Sequence, residues 1–186
     1  MPKKVDHAHM RETLVEGCTR LFADRGYASL TMREIAGALH VSTGTLYHYF
    51  PAKDALFAAV VRAVTRQDLG AAADFSALPQ DPKIRLAALL AHVEAHADRF
   101  TREILVLLDV RRVHGDGPDA PLAVVREAID AYVTTLDLFL GTADRRLAHM
   151  LLMAIDGLLV QRQLDGGRTG LADHYDLLAR LLPSPA

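Results

Sequence analysis

The side chains of this sequence with chemistry to offer collect in four places, and the richest is residues 42–50. On a 3.6-residue wheel, Leu46 and Phe50 fall on one side, toward a core, while Gly44, Thr45 and His48 fall opposite, flanked by Tyr47 and Tyr49. That outward face carries hydroxyls, an imidazole and a glycine but no aliphatic side chain. Small and hydroxyl residues near a helix start permit close approach to base edges and phosphates, which is nucleic-acid chemistry. His92 and His96, four apart with Glu94 between them, could share one helical face and bind a metal. Their order, His-x-Glu-x-His, is not that of the metalloproteases, and no third ligand is fixed, so an ordinary surface or pocket face is the plainer reading. Asp109 and Arg112 lie in the otherwise aliphatic run FTREILVLLDVRRVH, where a buried charge requires a partner. The two could orient a ligand or form a structural ion pair at the edge of a core. Cys18, the single cysteine, sits on an apolar stripe between Leu14 and Phe22. A buried small hydrophobe is the plainer reading there and a redox-sensing thiol the sharper one. None of these groups forms a nucleophile turn, a phosphate loop or a metal triad, so no catalysis, metal or cofactor is expected.

The elements that must position residues 42–50 are specified locally. Thr31 with Glu34 three residues on is a capping box, so a helix starts there. Met32, Ile35, Ala36 and Leu39 repeat at helical spacing and bury one face of it. The pattern breaks at His40 and Val41, and Ser42 caps a second helix. Val41 can pack on Leu46 as a hydrophobic staple, which fixes the angle at which the chain joins that helix. Pro51 stops it, having no N–H to donate and restricting Phe50. Two short helices joined at a fixed angle make a helix-turn-helix.

Phe22, Gly26, Tyr27, Thr31, Ile35, Ala36, Val41, Ser42, Gly44, Leu46, Tyr47, Tyr49, Phe50, Lys53 and Leu56 together resemble the DNA-binding signature of the tetracycline-repressor (TetR) family, in residue types and in spacing. The resemblance covers about the first third of the chain and is specific because of its length. It implies an all-α fold of about nine helices, with an N-terminal three-helix helix-turn-helix domain and then a helical ligand-binding and dimerisation domain. The implied division is residues 1–53, a linker helix over 53–69, and a body over 70–186. By the same resemblance Thr31, Arg33, Tyr47, Tyr49 and Lys53 would hold the phosphate backbone. Ser42, Thr43, Gly44, Thr45 and His48 would lie where base edges are met. Two departures stand out. Ala52 occupies a place where members often carry Ser, Asn or Asp as the cap of the fourth helix. Thr45 and His48 occupy positions that vary in the family and help decide the operator.

At 186 residues the chain fits one domain, or a small domain fused to a larger one. It is 51% hydrophobic, with mean hydropathy +0.12, which is ample for a core. No apolar run reaches the ~18 residues of a membrane span, and the start MPKKVDHAHMRE lacks the apolar segment of a signal peptide. The net charge of −2 is not that of an obvious nucleic-acid binder, but distribution matters more than the sum. Over residues 1–53, Lys3, Lys4, Arg11, Arg20, Arg25, Arg33 and Lys53 outnumber Asp6, Glu12, Glu16, Asp24 and Glu34. Lys3 and Lys4, in a basic tip, could touch DNA or remain solvated. The spacing predicts helices ending at residue 24, over 53–69 with Gly70 as the stop, over 82–97, and over 100–114, the last enclosed by neighbours because its centre is aliphatic. Two long helices follow a breaker at 115–121, one to residue 140 and one opened by Thr142 and running to 164; a final helix covers 171–182.

The expected function is a homodimeric DNA-binding transcriptional regulator, a repressor released from a palindromic operator by a small, largely apolar effector. The expected effector pocket draws on Leu89, His92, Val93, His96, Ile104, Leu108, Asp109, Arg112, Val125, Ile129 and Phe139. The helix over 145–164 is hydrophobic on nearly all sides and needs more cover than one chain supplies. Pairing of two such hairpins, through the helices over 124–140 and 145–164 with Leu151, Ile155 and Leu158 in a twofold seam, would provide that cover. The expected partners are therefore double-stranded operator DNA, an effector and a second copy, with no membrane, in the bacterial cytosol at the nucleoid. One rival reading is a small-molecule-binding or metal-dependent helical protein, or an enzyme around His92, His96 and Asp109, that does not act through DNA. Another is an interaction module whose helix-turn-helix no longer reads DNA.

Overall fold

Capping chemistry sets most of the helix limits in the computed structural model, which describes residues 7–71, 77–115 and 120–183. Lys3 and Lys4, part of the 74–82 loop and residues 116–119 lie outside these. Among the described residues there are nine α-helices and no strand, so the chain is all-α. α1 (His7–Arg25) ends at Gly26, which at φ +74° takes the left-handed position after a helix and donates its N–H to the Phe22 carbonyl at 2.8 Å. α2 (Met32–Ala38) and α3 (Thr43–Tyr49) are the two short helices. α4 (Lys53–Ala71) runs through Gly70, which is helical and is not the expected stop. A glycine weakens a helix interior by about 1 kcal/mol but removes no hydrogen bond.

α5 (Pro82–Ala95) is capped by Asp81, whose carboxylate accepts the Lys83 N–H at 2.8 Å. α6 (Ala97–His114) begins after one residue, not the longer gap expected. The His96 carbonyl already accepts the Arg99 and Phe100 N–H groups, so the residue that ends α5 also starts α6. α7 (Ala120–Leu140) and α8 (Arg145–Leu164) are the two long helices. Thr142 does not cap α8; its hydroxyl donates to Asp137, and Asp144 takes the cap by accepting the Arg146 N–H at 2.9 Å. A carboxylate suits the positive end of a helix better than a hydroxyl does. The last helix is shorter than expected, a 3-10 turn at Ala172–His174 followed by α9 (Tyr175–Ala179).

The chain divides into two compact units, Met1–Val64 with Leu105–Arg126, and Thr65–Ile104 with Glu127–Ala186. The first is built on Leu14, Cys18, Phe22, Tyr27, Ile35, Leu46, Phe50 and Phe57, all fully buried. A Cβ on Gly17 would come within 2.4 Å of Leu39 Cδ2, so glycine lets α1 approach the end of α2 closely. Burial pushes the Cys18 thiol up to about 12, which makes it an inert core residue. The aliphatic centre of α6 is not enclosed as expected: Leu105, Leu108 and Val113 are exposed in the chain. The core of the second unit runs from Leu86, Leu90 and Val93 through Val133, Leu136 and Leu140 to Leu151, Ile155 and Leu159. That placement corrects the expected seam. Leu151 and Ile155 are 0% and 5% exposed and fill this core, because four-residue spacing puts them on the inward stripe of α8 with Ala148 and Leu159. Leu158 packs at the core's edge, and the outward stripe of α8 is Met150, Met153, Gly157 and Leu164.

Candidate nucleic-acid interface

Both short helices start on caps fully made. The Thr31 N–H donates to Glu34 Oε2 at 2.8 Å, and the Glu34 N–H donates to Thr31 Oγ1 at 3.2 Å. Hydrogen bonds from the Thr31 hydroxyl and N–H hold the Glu34 carboxyl below its ordinary range. Between the helices His40 takes a left-handed conformation, φ +55°, and the Val41 N–H reaches the Ala36 carbonyl at 3.0 Å. That conformation is uncommon for a side chain with a Cβ, although histidine tolerates it better than most. Ser42 Oγ then accepts the Thr45 N–H at 2.9 Å and lies 2.8 Å from the Thr45 hydroxyl, so these two candidate base-reading groups are linked.

Leu46 of α3 is buried, with Phe50 just beyond it. Ser42, Gly44, Tyr47 and His48 are exposed, and Thr43, Thr45 and Tyr49 are half-buried. Thr31 and Arg33 are exposed on the preceding segment. Nothing but Ser42 Oγ, at 3.7 Å, would meet a Cβ added at Gly44. The start of α3 is thus unobstructed. The Tyr49 hydroxyl lies 2.9 Å from His7 Nδ1, and the His48 ring stands edge-on to that of Tyr49 at 5.0 Å. Sequence reasoning missed His7, because nothing in its own neighbourhood announces a partner 42 residues away.

Lys53, expected on phosphate, is engaged by its own chain. Its Nζ donates to the Tyr27 and Leu30 carbonyls at 3.1 and 2.8 Å and sits 4.0 Å from the Tyr27 ring centre. Burial pulls its pKa down, against the opposing pull of Asp54, Asp109 and Glu34. The Tyr27 hydroxyl donates to Asp54, and burial first and that carboxylate second push its pKa up. Asp109, expected beside an effector, accepts the Ala28 N–H at 2.6 Å and the Arg112 guanidinium at 2.9 Å. Burial works against its ionisation, but these donors outweigh it and hold the carboxyl low. Asp109 and Arg112 therefore form a structural pair within the first unit, anchoring the turn that leads into α2.

The other expected effector residues are scattered in exposure. In the second unit Leu89, Ile104 and Phe139 are half-buried against the core and Val93 is inside it, while Ile129 is exposed. In the first unit Val125 is half-buried and Leu108 exposed. The His92 and His96 rings lie 4.5 Å apart, but Glu94 turns to Arg162 Nη1 at 2.7 Å and to the Leu171 N–H at 2.8 Å. Among the described residues no group of three or more His, Cys, Asp or Glu side chains could hold a metal ion. A polar cluster that sequence reasoning missed lies in the second unit: Asp68 accepts from Arg99 Nη1 and from the Tyr132 hydroxyl, each at 2.7 Å, and Arg99 also reaches Glu103 at 3.3 Å. Its signal was available as charges spaced among apolar residues, but their meeting across three helices was not.

Set beside known proteins, residues 14–60 match the model described as bacterial regulatory proteins, tetR family. The regulator PksA of Bacillus subtilis is 27% identical over 173 residues, which cover 89% of this chain and 84% of that one. By fold, E. coli NemR in its reduced form superposes with a TM-score of 0.79 at 15% identity, over 95% of this chain and 98% of that one. The transcriptional regulator FadR from Bacillus subtilis, in complex with stearoyl-CoA, gives 0.72 at 16% over 94% and 99%. The capped, unobstructed helix-turn-helix thus lies within the segment that matches the tetR-family model, on a chain whose all-helical fold is similar to those of transcriptional regulators.

Proposed function

We propose that the protein is a homodimeric repressor that holds a palindromic operator and is released by a small, largely apolar effector. In this reading residues 1–53 form the DNA head, 53–69 the linker and 70–186 the sensing and dimerising body. Ser42, Thr43, Gly44, Thr45 and His48 meet base edges, while Thr31, Arg33, Tyr47 and Tyr49 hold phosphates. Lys53 supports the head by holding the Tyr27 and Leu30 carbonyls. The observation that carries the reading is the exposed start of α3, where polar and small side chains face out and Leu46 faces in. The stripe on α8 supports the dimer: Met153 is 56% and Leu164 77% exposed in the single chain, and Leu138 of α7 is 75% exposed. Patches of this kind mark association surfaces.

For the effector, the support is the apolar surface of Leu89, Ile104 and Phe139, half-buried against the core of the second unit. The FadR structure was solved with stearoyl-CoA, whose acyl chain is apolar. An effector releases DNA only by favouring a spacing of the two reader helices that does not fit the operator, since equal affinity for both states shifts nothing. The test is a thermal-shift screen of apolar acids and cations followed by gel shifts on the DNA flanking the gene. A ligand at 100 times its dissociation constant should stabilise the protein by about 2.7 kcal/mol and should free the DNA. Ligands that stabilise the protein but leave the shifted band intact would sink the inducible reading and spare the DNA-binding one.

A further inference from the structure

We propose that His7, the first residue of α1, is part of the DNA-binding surface, where it donates from Nδ1 to the Tyr49 hydroxyl and frees that hydroxyl's proton for a phosphate. The inference rests on reading α3 as the DNA-facing helix. His7 Nδ1 and Tyr49 Oη lie 2.9 Å apart, and both side chains reach the surface beside His48, whose ring centre is 5.8 Å from that of His7. One turn further along α1, the Arg11 guanidinium sits 5.0 Å from the Phe50 ring centre. His7 and Arg11 thus lie on one face of α1, against the end of α3.

The direction of the hydrogen bond follows from what each atom can do. A phosphate oxygen accepts and never donates, so a tyrosine that binds it must direct its own O–H at it. The tyrosine oxygen is then left with lone pairs, and a partner 2.9 Å away must be a donor. His7 supplies that donor whenever Nδ1 carries a hydrogen, in one neutral tautomer or in the imidazolium. The chain N–H to O–H to phosphate is stronger than either link alone, because each bond polarises the next. His7 is therefore a positioning residue that acts through Tyr49.

Phosphate contacts act on any sequence, so a labelled random 30-base-pair duplex at low salt serves as probe alongside the DNA flanking the gene. His7→Ala and Tyr49→Phe should each weaken binding about three- to tenfold on both duplexes. The double variant should bind no more weakly than Tyr49→Phe alone, because removing the hydroxyl leaves His7 nothing to position. His7→Gln, whose amide can donate in the same place, should bind within about twofold of wild type. The melting temperature of the three single variants should stay at the wild-type value, separating positioning from folding. A His7→Ala protein that binds like wild type, or a double variant whose loss is the product of the two single losses, overturns the proposal alone. A wild-type protein that binds neither duplex overturns the DNA-facing reading of α3, and this proposal with it.

Discussion

Among the carboxyl groups, Glu103 is pushed furthest toward neutral pH. Burial first and the Asp68 charge second push its carboxyl from the ordinary 4.5 up to about 7, against the pull of Arg99. Burial likewise pushes Asp156 of α8 from 3.8 up to about 6. In the unfolded chain both carboxyls regain their ordinary values. Between about pH 4.5 and 7 the folded protein therefore holds a proton on Glu103 that the unfolded chain has released, and stability must fall as pH rises through that window. Above pH 7 both states are ionised at Glu103 and the loss is complete. Replacing Glu103 by Gln copies the protonated form. At pH 8 the variant should be more stable than wild type by on the order of 1–3 kcal/mol, and at pH 5 it should differ little. Urea denaturation at the two pH values and one protein concentration is the measurement. A variant that matches wild type at pH 8 would show that Arg99 compensates the buried charge in full.

At the scale of elements, α3 sets stability and function against each other at Gly44. A Cβ there meets nothing closer than Ser42 Oγ at 3.7 Å, and alanine favours a helix over glycine by up to about 1 kcal/mol. Gly44→Ala should therefore raise stability in a denaturant melt while weakening operator binding, because the added methyl lies on the face proposed to approach base edges. If operator affinity were unchanged, the close approach at Gly44 would be wrong. The same helices show what a sequence can reveal. The capping box of Thr31 and Glu34, the Ser42 cap, the Gly26 C-terminus and the Asp81 cap were all legible, because each is a contact between residues at most four apart. The run of α4 through Gly70 and the single-residue break at His96 were not, since tertiary packing decides whether a helix continues past a weak signal. The cap at Asp144 is as local as the others, but Thr142 two residues earlier offers a competing cap signal. Legibility fails most where long-range contacts decide. Lys53 and Asp109 carry the right charges for the roles expected of them, yet each is taken by main-chain groups more than twenty residues away. The His7 contact and the Asp68 cluster likewise join residues dozens of positions apart. The apolar periodicity of α8 gave its burial, but with almost every position apolar it could not tell the core stripe from the outward one.

For the whole molecule, that last ambiguity becomes a test of assembly. A palindromic operator needs two heads, with half-sites about 34–36 Å apart or a multiple of one turn, so a chain that could not pair would bind each half-site separately and weakly. Linking the two heads through a dimer raises the effective concentration of the second once the first is bound, and that gain disappears with the seam. On α8 the stripe of Met150, Met153, Gly157 and Leu164 lies outward, whereas Ile155 is inside the second unit. A glutamate on either stripe puts a charge where apolar cover is required, but with different consequences. Ile155→Glu should bury an unpaired carboxylate in the core and cost several kcal/mol of folding, on the order of 3–5. Its readout is loss of the cooperative melt. Met153→Glu should leave the isolated chain folded, with the same helical circular dichroism, and weaken association by on the order of 2–4 kcal/mol. In sedimentation at micromolar concentration wild type should run as a dimer and Met153→Glu should shift toward monomer, with operator affinity falling in step and binding to a single half-site hardly changed. A wild-type chain that sediments as a monomer would remove the seam altogether. A Met153→Glu protein that remains a tight dimer would move the seam off α8, and Leu138→Glu on α7 would then be the variant expected to break it.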